Sequence, residues 1–207
     1  MTTISLMILA FDTSTAACTA ALFDGAGECL AHADEVIGRG HAERLVPMLD
    51  ELLDGRKAER IIVGVGPGSF TGMRVGIAAA HGLAIGWGAE LSGMMSLALI
   101  AASADYDDSV AVAVMGGHGE LFFDEFGEAG KPLSALRSLP PPEAAIRTRS
   151  NLVIGSGAKL LVNARGWGEA REALPRAANA LKIAPGLRSL PAKPIYARAP
   201  DAKAKAA

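Results

Sequence analysis

The sequence predicts a mixed α/β fold in which an antiparallel hairpin forms one edge of a sheet and helices flank that sheet. Three observations predict it: short apolar runs that suit buried strands, an Asp-Gly turn between two such runs, and helical periodicity in later segments. Because half of the 207 residues are hydrophobic and a fifth are charged, the chain can bury a substantial core. The polar stretch Asp105–Asp108 interrupts the succession of predicted strands and helices, which predicts two lobes with a boundary near residue 105.

The first predicted lobe, residues 1–104, holds the element order βββαβαβα. The Asp24-Gly25 turn favours a hairpin, and apolar residues at every third or fourth position of 41–53 favour a helix. The predicted strands are Met7–Phe11, Cys18–Phe23, Glu28–Ala33, Arg60–Val65 and Glu90–Gly93, and the predicted helices are His41–Leu53, Thr71–Ile85 and Met95–Ala104.

The second predicted lobe, residues 105–200, begins with another hairpin around Gly116–Gly119. Three consecutive prolines predict a loop over Ser138–Glu143. The final residues, 201–207, lack apolar bulk and are expected to fray. The other predicted elements are strands over Val110–Met115, Glu120–Phe126, Leu152–Ile154 and Pro194–Ala197, a helix over Ala158–Asn163, and a weaker helix over Ala170–Leu181 that Pro175 interrupts.

Charge and cysteine content narrow the classes of function. A net charge of −2 provides no overall positive field to attract nucleic acid. Cys18 and Cys29 are too few for a disulfide framework, so we expect small reduced core residues on neighbouring strands, as in a cytoplasmic protein. No signal peptide is evident, and Glu90 with the break at 86–88 divides the apolar stretch 75–104 into pieces too short to span a membrane.

A glycine-rich loop, Gly64–Gly76, lies between a predicted strand and a predicted helix. It is not a Walker A motif, because no Lys-Ser or Lys-Thr follows its last glycine, and its glycine spacing does not match G-x-G-x-x-G. Two interpretations remain open. The loop binds a phosphate through its backbone N–H groups, or it is a tight turn in which Ser69 or Thr71 caps the next helix.

Asp12, Thr13 and Ser14 follow the first strand, and they too allow either a ligand-binding or a purely structural interpretation. A carboxylate and hydroxyls at such a junction suit contacts to phosphate or Mg²⁺. The same residue types also form Asx and Ser/Thr turns, which would shape the hairpin without any ligand.

The helix after the loop carries small residues at every fourth position, so they form one row along it. Such a row lets another backbone approach closely, and the gain must offset roughly 1 kcal/mol for each helical glycine relative to alanine. The sequence does not decide whether the row packs within the chain or against a partner. The candidate partner interface consists of Gly72, Met73, Gly76, Ala80 and Ala84, with Leu45, Met48, Leu49 and Leu52 from the preceding helix.

The remaining motifs form no complete catalytic constellation. The four histidines, at positions 32, 41, 81 and 118, form no H-x-x-x-H or H-E-x-x-H pair. Gly155-Ser156-Gly157 is too short for a G-x-S-x-G nucleophile elbow. The sequence therefore lacks the metal ligands that a metallopeptidase would need.

Three segments, in this order and spacing, resemble the TsaB family: ILAFDTSTAACTAALFDG, HAERLVPMLDELL and IIVGVGPGSFTGMRVGIAAAHGLAIG. The segment KPIYAR resembles the closing part of that family, and the match is strong over residues 7–100 and weak elsewhere. The resemblance implies a fold of the actin-like ATPase superfamily with ribonuclease-H-like lobes. It also implies a non-catalytic partner of TsaD, the enzyme that moves a threonylcarbamoyl group onto the adenosine beside the tRNA anticodon.

Further partners follow from the same resemblance. They are TsaE, an ATPase, and tRNA bound through the complex, while a homodimer through the same helices is a further expectation. No cofactor is expected to be required, although ATP or ADP at the level of the complex is compatible with the fold. The alternative is an ATP-dependent phosphotransferase that uses Asp12 and the glycine segments 64–72 and 155–157, which rests on analogy of fold alone.

Two departures separate this sequence from its relatives. TsaD-like enzymes carry an H-x-x-x-H metal pair about two dozen residues beyond the loop, whereas the matching stretch here, Ser92–Ile100, contains no histidine. We therefore expect the catalytic metal centre to be absent. TsaB-like chains usually carry Asp-Ala-Arg where this chain has Met115, Gly116 and Gly117, so a carboxylate and a guanidinium are replaced.

Overall fold

The computed structural model describes residues 6–106 and 108–197 of the chain. These residues form two five-stranded sheets with flanking helices. The strands of the first sheet are β1 (Ile8–Asp12), β2 (Ala17–Phe23), β3 (Cys29–Val36), β4 (Arg60–Gly64) and β5 (Glu90–Met94). The helices that follow its strands are α1 (His41–Leu53), α2 (Phe70–Trp87) and α3 (Ser96–Ala101).

The first sheet has the strand order β3-β2-β1-β4-β5. Strands β1, β2 and β3 pair antiparallel, with Ile8 opposite Phe23. Strands β4 and β5 add in parallel, with Ile8 opposite Arg60, because each is reached through a helix that crosses over the sheet. The predicted mixed sheet with a hairpin edge is confirmed.

The second sheet has the order β10-β9-β6-β7-β8 and is built around the hairpin of β6 and β7, with β9 parallel to β6. Its strands are β6 (Val110–Met115), β7 (Leu121–Phe126), β8 (Arg137–Leu139), β9 (Leu152–Ile154) and β10 (Glu169–Arg171). The remaining helices are α4 (Pro141–Arg147), α5 (Ala158–Arg165) and α6 (Pro185–Arg188), and short 3₁₀ helices span Gly117–Gly119, Glu128–Gly130 and Ala177–Lys182.

Alternation along β1 separates two apolar clusters on the faces of the first sheet. Leu9 and Phe11 point towards α1 and α2, whereas Ile8 and Ala10 point towards α3 and the second sheet. Because the side-chain period of a strand is two, one short strand supplies both clusters. A third cluster lies between the second sheet and helices α4 and α5.

The end of the described chain returns to the first sheet. The Ala177 N–H donates to Thr19 Oγ1 at 2.7 Å, Leu190 bridges to Gly93, and the Ile195 N–H donates to Val65 O at 2.8 Å. The first sheet ends at residue 94 and the second begins at residue 110. The lobe boundary near 105 stays a prediction, and residues 177–195 pack with the first sheet although they follow the second.

Three predictions in the second half of the chain are wrong. The predicted loop Ser138–Glu143 contains the end of β8 and the start of α4, and the predicted helix Ala170–Leu181 is the end of β10 followed by extended chain and a 3₁₀ helix. Pro194–Ala197 is not a strand, and its backbone attaches to the first sheet through the Ile195–Val65 hydrogen bond. The predicted frayed tail, 201–207, lies outside the described residues.

The cysteine prediction is half right. Cys18 on β2 and Cys29 on β3 lie on neighbouring strands, and both thiols are free. Cys18 is buried as expected, but Cys29 is exposed because it begins the edge strand β3. Within the described residues, no helix is both long and apolar enough to cross a membrane.

Candidate functional site

The glycine-rich loop joins β4 to α2, and Ser69 caps the helix. The Ser69 hydroxyl accepts a hydrogen bond from the Gly72 N–H at 3.2 Å, which satisfies one of the unpaired N–H groups at the start of the helix. The predicted cap is therefore confirmed for Ser69.

The loop packs directly on the turn between β1 and β2. The Ser69 N–H donates to Ser14 O at 2.7 Å. A Cβ atom at Gly68 would collide with Ser14 O, and one at Gly72 would collide with Thr13 O. These glycines are explained by contact between two backbone segments, a contact that needs no phosphate.

Asp12, Thr13 and Ser14 are buried, and their polar side-chain atoms bond within the chain. Asp12 Oδ1 accepts from the N–H and the hydroxyl of Ser14, both at 2.7 Å. Asp12 Oδ2 accepts from the hydroxyl of Ser96, and Thr13 Oγ1 donates to Gly72 O at 2.8 Å. This geometry is that of the turn interpretation, and a phosphate or Mg²⁺ contact stays a prediction.

Ser96 extends this polar cluster to the start of α3. Its hydroxyl accepts from the Gly66 N–H at 3.1 Å, and its own N–H donates to Gly66 O at 2.9 Å. Gly64 leaves the space for the carboxylate, because a Cβ there would collide with Asp12 Oδ2. The end of β1, the glycine loop and α3 are thus held together by one set of hydrogen bonds.

A cleft of about 730 Å³ opens between the two sheets, in the size range of small-molecule sites. Its walls are the β1–β2 turn and glycine loop on one side, and the hairpin turn 115–118 with Ser156 on the other. Met115 N–H donates to Ser156 Oγ at 3.1 Å. No Asp, Glu, Lys or Arg side chain lines the cleft within the described residues. Met115, Gly116 and Gly117 thus bring no charged side chain to this wall.

An aromatic cluster that the sequence analysis missed lies at the mouth of the cleft. The rings of Phe70 and Tyr196 stack with centroids 5.9 Å apart. The Arg74 guanidinium lies 3.7 Å above the Phe70 ring and donates to the Tyr196 hydroxyl at 3.3 Å. The only sequence signal was the closing segment that contains Tyr196, which is remote from Phe70 along the chain.

The predicted small-residue row of α2 faces inward, so we call Gly72, Gly76 and Ala80 the covered face. All three are buried, and a Cβ at Gly76 would crowd Thr13 Oγ1 and lie in ordinary contact with Val63 Cγ2. Met73 is also buried, and Ala84 is half-buried. The row packs within the chain, which corrects its assignment to a partner surface.

The apolar residues proposed on α1 are likewise part of the core. They pack with the first sheet and α2 instead of presenting free surface. The buried residues are Leu45, Met48, Leu49 and Leu52. Whether α1 and α2 meet a partner stays a prediction, but any such contact must use other residues of these helices.

The opposite side of α2 carries a second small-residue row, Ala78, Gly82 and Gly86, which together with Ile85 we call the open face. All four are exposed, and Ile85 has 84% of its surface open. A Cβ at Gly82 or Gly86 would meet nothing within 4 Å outside the helix's own backbone. The signal was present in the sequence, since Ala78, Gly82 and Gly86 also recur every four residues.

Arg44 fastens α1 to the edge strand β3. Its guanidinium donates to Glu35 at 2.6 Å and 2.8 Å and to Glu51 at 3.1 Å and 3.2 Å. These hydrogen bonds lower the pKa of both carboxyls and raise the pKa of Arg44. Both carboxyls therefore stay ionised to more acidic pH than usual, and the Glu35 pair keeps α1 linked to β3 while the Glu51 pair lies within α1.

No group of three or more His, Cys, Asp or Glu side chains is arranged to hold a metal ion in the described ranges 6–106 and 108–197. Ser92–Ile100, the stretch expected from the resemblance to match the metal pair of TsaD-like enzymes, forms most of β5 and α3. The absence of a catalytic metal centre from the whole chain stays a prediction.

Comparison with known proteins places this fold first in a broad class. An activator of 2-hydroxyisocaproyl-CoA dehydratase from Clostridium difficile, solved with bound ADPNP, superimposes with a TM-score of 0.50 at 9% identity, covering 89% of this chain and 94% of that one. A likeness at this identity concerns the fold alone. Two sheets with flanking helices around a cleft define the class of two-lobed, actin-like ATPase folds.

Closer matches are more specific. Residues 34–136 match the family model described as TsaD: tRNA N6-adenosine threonylcarbamoyltransferase. A Pseudomonas aeruginosa structure described as an uncharacterized protein with similarity to peptidase YEAZ has a TM-score of 0.81 at 30% identity, covering 93% of this chain and 100% of that one.

A curated Haemophilus influenzae protein named tRNA threonylcarbamoyladenosine biosynthesis protein TsaB is 35% identical over 131 residues, 58% of this chain. The match covers 54% of that relative, so the chain spans about half the length of the curated relatives it matches. The chain belongs to the TsaB family.

Proposed function

We propose that the chain acts in the biosynthesis of threonylcarbamoyladenosine in tRNA, as a non-catalytic subunit that binds and activates a TsaD-like transferase. The names of its relatives support the pathway, and the match to a TsaD family model supports common ancestry with the transferase. The observation that carries the subunit role is the open face of α2.

The physical argument starts from the cost of the open face. Gly82 lies in the interior of α2, where a glycine costs roughly 1 kcal/mol relative to alanine, and Gly86 lies in the last turn of the helix. Within the described chain no side chain or backbone closes on them to offset that cost. A helix from a second protein would do so, because small residues allow close helix–helix contact and Ile85 adds apolar area at the same place.

The polar cluster supports a scaffold in preference to an independent enzyme. The Asp12 carboxylate already accepts three hydrogen bonds from Ser14 and Ser96. The cleft beside it offers no charged side chain in the described residues. The buried cluster instead fixes the start of α2, and this would present the helix to a partner in a defined orientation.

Reconstitution tests the proposal. The TsaD-like and TsaE-like proteins of the same organism are mixed with substrate tRNA and threonylcarbamoyl-adenylate, and modified adenosine is measured by mass spectrometry with and without this chain. We expect modification only when the chain and the transferase are both present. Modification by this chain alone, or full modification without it, would overturn the proposed role.

The cleft favours one second candidate, a nucleotide-dependent phosphotransferase. Its volume fits a nucleotide, and hydroxyls of Ser14, Ser69 and Ser156 belong to residues that line it. Titration calorimetry of the isolated chain with ATP and Mg²⁺ distinguishes the two functions. Micromolar binding together with turnover would support the phosphotransferase, and absence of both would leave the scaffold role.

A further inference from the structure

A second groove lies on the second lobe, beside β7, β8 and α4. It has a volume of about 820 Å³ and shares no lining residue with the cleft between the sheets. Its residues come from Ser109 and from the range 123–150. Nothing in the proposed function uses it.

The floor of the groove is rigid and polar. Glu125 is buried, and its Oε1 accepts hydrogen bonds from the N–H groups of Arg149 and Ser150 and from the Ser150 hydroxyl, each at 2.8 Å. Arg165 also donates to Ser150 O at 2.8 Å. Because these bonds fix residues 149–150, the groove has a defined shape before any ligand binds.

Three arginines line this floor: Arg137, Arg147 and Arg149. All three side chains are exposed, and they make no hydrogen bond or ion pair within residues 6–106 and 108–197. Elsewhere in the chain, arginines such as Arg44 and Arg176 are paired with carboxylates. Guanidinium groups match carboxylates in bidentate geometry, so three unpaired ones around a groove favour an anionic ligand.

The rest of the groove decides which anionic ligand fits. Leu133 and Ile146 line it with 57% and 87% of their surfaces exposed, and both are aliphatic. The only aromatic residue among the described lining is Phe123, which is buried and offers no ring for base stacking. The exposed carboxylate of Glu143 interrupts the positive surface, which disfavours a continuous phosphate backbone.

We propose that this groove, formed by Arg137, Arg147 and Arg149 with Leu133 and Ile146 at its side, binds an acidic segment of a partner protein that also carries aliphatic side chains. The arginines hold the carboxylates, and the two aliphatic residues cover the apolar side chains between them. The proposal is independent of the open face of α2, because the groove belongs to the other lobe.

Fluorescence anisotropy tests it with three labelled probes: a peptide of about twelve residues that alternates Glu and Leu, poly-glutamate of similar length, and a uridine oligonucleotide. We expect the full chain to bind the Glu–Leu peptide most tightly. Removing all three arginines, R137A with R147A and R149A, is expected to weaken that binding at least about tenfold.

A matched control removes three exposed positive charges from the first lobe and the C-terminal segment, R39A with K57A and K193A. It is expected to change affinity by less than about twofold, since distant exposed charges are screened by salt. The double variant L133S with I146S is expected to weaken the Glu–Leu peptide and leave poly-glutamate unchanged. Equal loss in both triple variants, tighter binding of the oligonucleotide, or no response to the double variant would overturn the proposal.

Discussion

The two faces of helix α2 carry almost the same residues in opposite surroundings. On the covered face, Gly72 and Gly76 touch the β1–β2 turn so closely that a single added carbon atom would collide with it. On the open face, a carbon atom added at Gly82 or Gly86 would meet no atom of the described residues within 4 Å outside the helix's own backbone. The same pattern of small residues can therefore lie against another segment of the chain or on open surface. The pattern alone does not tell which, because the position of the neighbouring segments decides it.

The largest expected effect comes from adding one methyl group to each face. Gly72→Ala is expected to lower the free energy of unfolding by about 3 kcal/mol or more, because the new Cβ meets backbone that cannot move aside. Gly82→Ala is the matched control and is expected to raise it by roughly 0.5–1 kcal/mol through helix propensity. Urea unfolding measures both. Similar changes in the two variants would remove the distinction between the faces.

The next largest effect is expected from removing hydrogen bonds in the polar cluster behind the covered face. Ser96→Ala removes the hydroxyl that links Asp12 to the Gly66 N–H, and leaves two buried partners unsatisfied. We expect a loss of about 2 kcal/mol in the free energy of unfolding. Ser69→Ala, which removes only the helix cap, is expected to cost about 1 kcal/mol. A smaller cost at Ser96 than at Ser69 would show that the cluster does not hold the loop.

The open face is tested by a side chain that blocks close approach. Gly82→Leu is expected to leave the isolated chain folded, because the space around it is empty. It is expected to weaken binding to the TsaD-like protein at least about tenfold, equivalent to 1.4 kcal/mol. Lys159→Leu, on an exposed position of α5, adds the same side chain to the other lobe as a control.

Size-exclusion chromatography and calorimetry of the mixed proteins report this result. Unchanged affinity for Gly82→Leu, with or without an effect of Lys159→Leu, would mean that the open face is not the interface. The variant Gly76→Leu cannot serve this purpose, because its side chain would unfold the covered face first.

The smallest expected effect is a difference in thiol labelling between a covered cysteine and an exposed one. Cys18 lies under α1 with its Sγ 3.8 Å from Met48 Sδ, and burial raises its pKa to about 11. Cys29 is exposed on the edge strand. At pH 8 we expect a thiol reagent to modify Cys29 at least about tenfold faster, since the thiolate is the reactive form. Equal rates in the folded chain would show that α1 does not cover β2.

The sequence allowed much of the first sheet to be predicted, because its strands and helices follow simple patterns. The bounds of α1 match the prediction, and β4 and β5 each differ by one residue. The second lobe was harder. Three prolines suggested a loop, yet Pro141 begins α4, where a missing N–H costs nothing. Strand β10 has three residues, and only its pairing with β9 defines it.

The site was predicted less well than the fold, for a physical reason. Asp12, Thr13 and Ser14 were identified as a candidate, but the sequence does not say that Ser96 completes their hydrogen bonds across 84 residues of chain. The sequence also predicts the row that contains Gly72 and Gly76, but it does not predict which way that row faces. Contacts that join distant segments leave no local pattern, whereas periodicity within one helix does.

The return of residues 177–195 to the first sheet has a consequence for synthesis on the ribosome. Thr19, Val65 and Gly93 receive their hydrogen-bond partners from the last part of the described chain. The five strands of the first sheet therefore emerge from the ribosome well before the segment that supplies these hydrogen bonds. Folding of the first sheet is therefore coupled to the synthesis of residues 177–195, and a chain that stops before them would leave Thr19, Val65 and Gly93 without these partners.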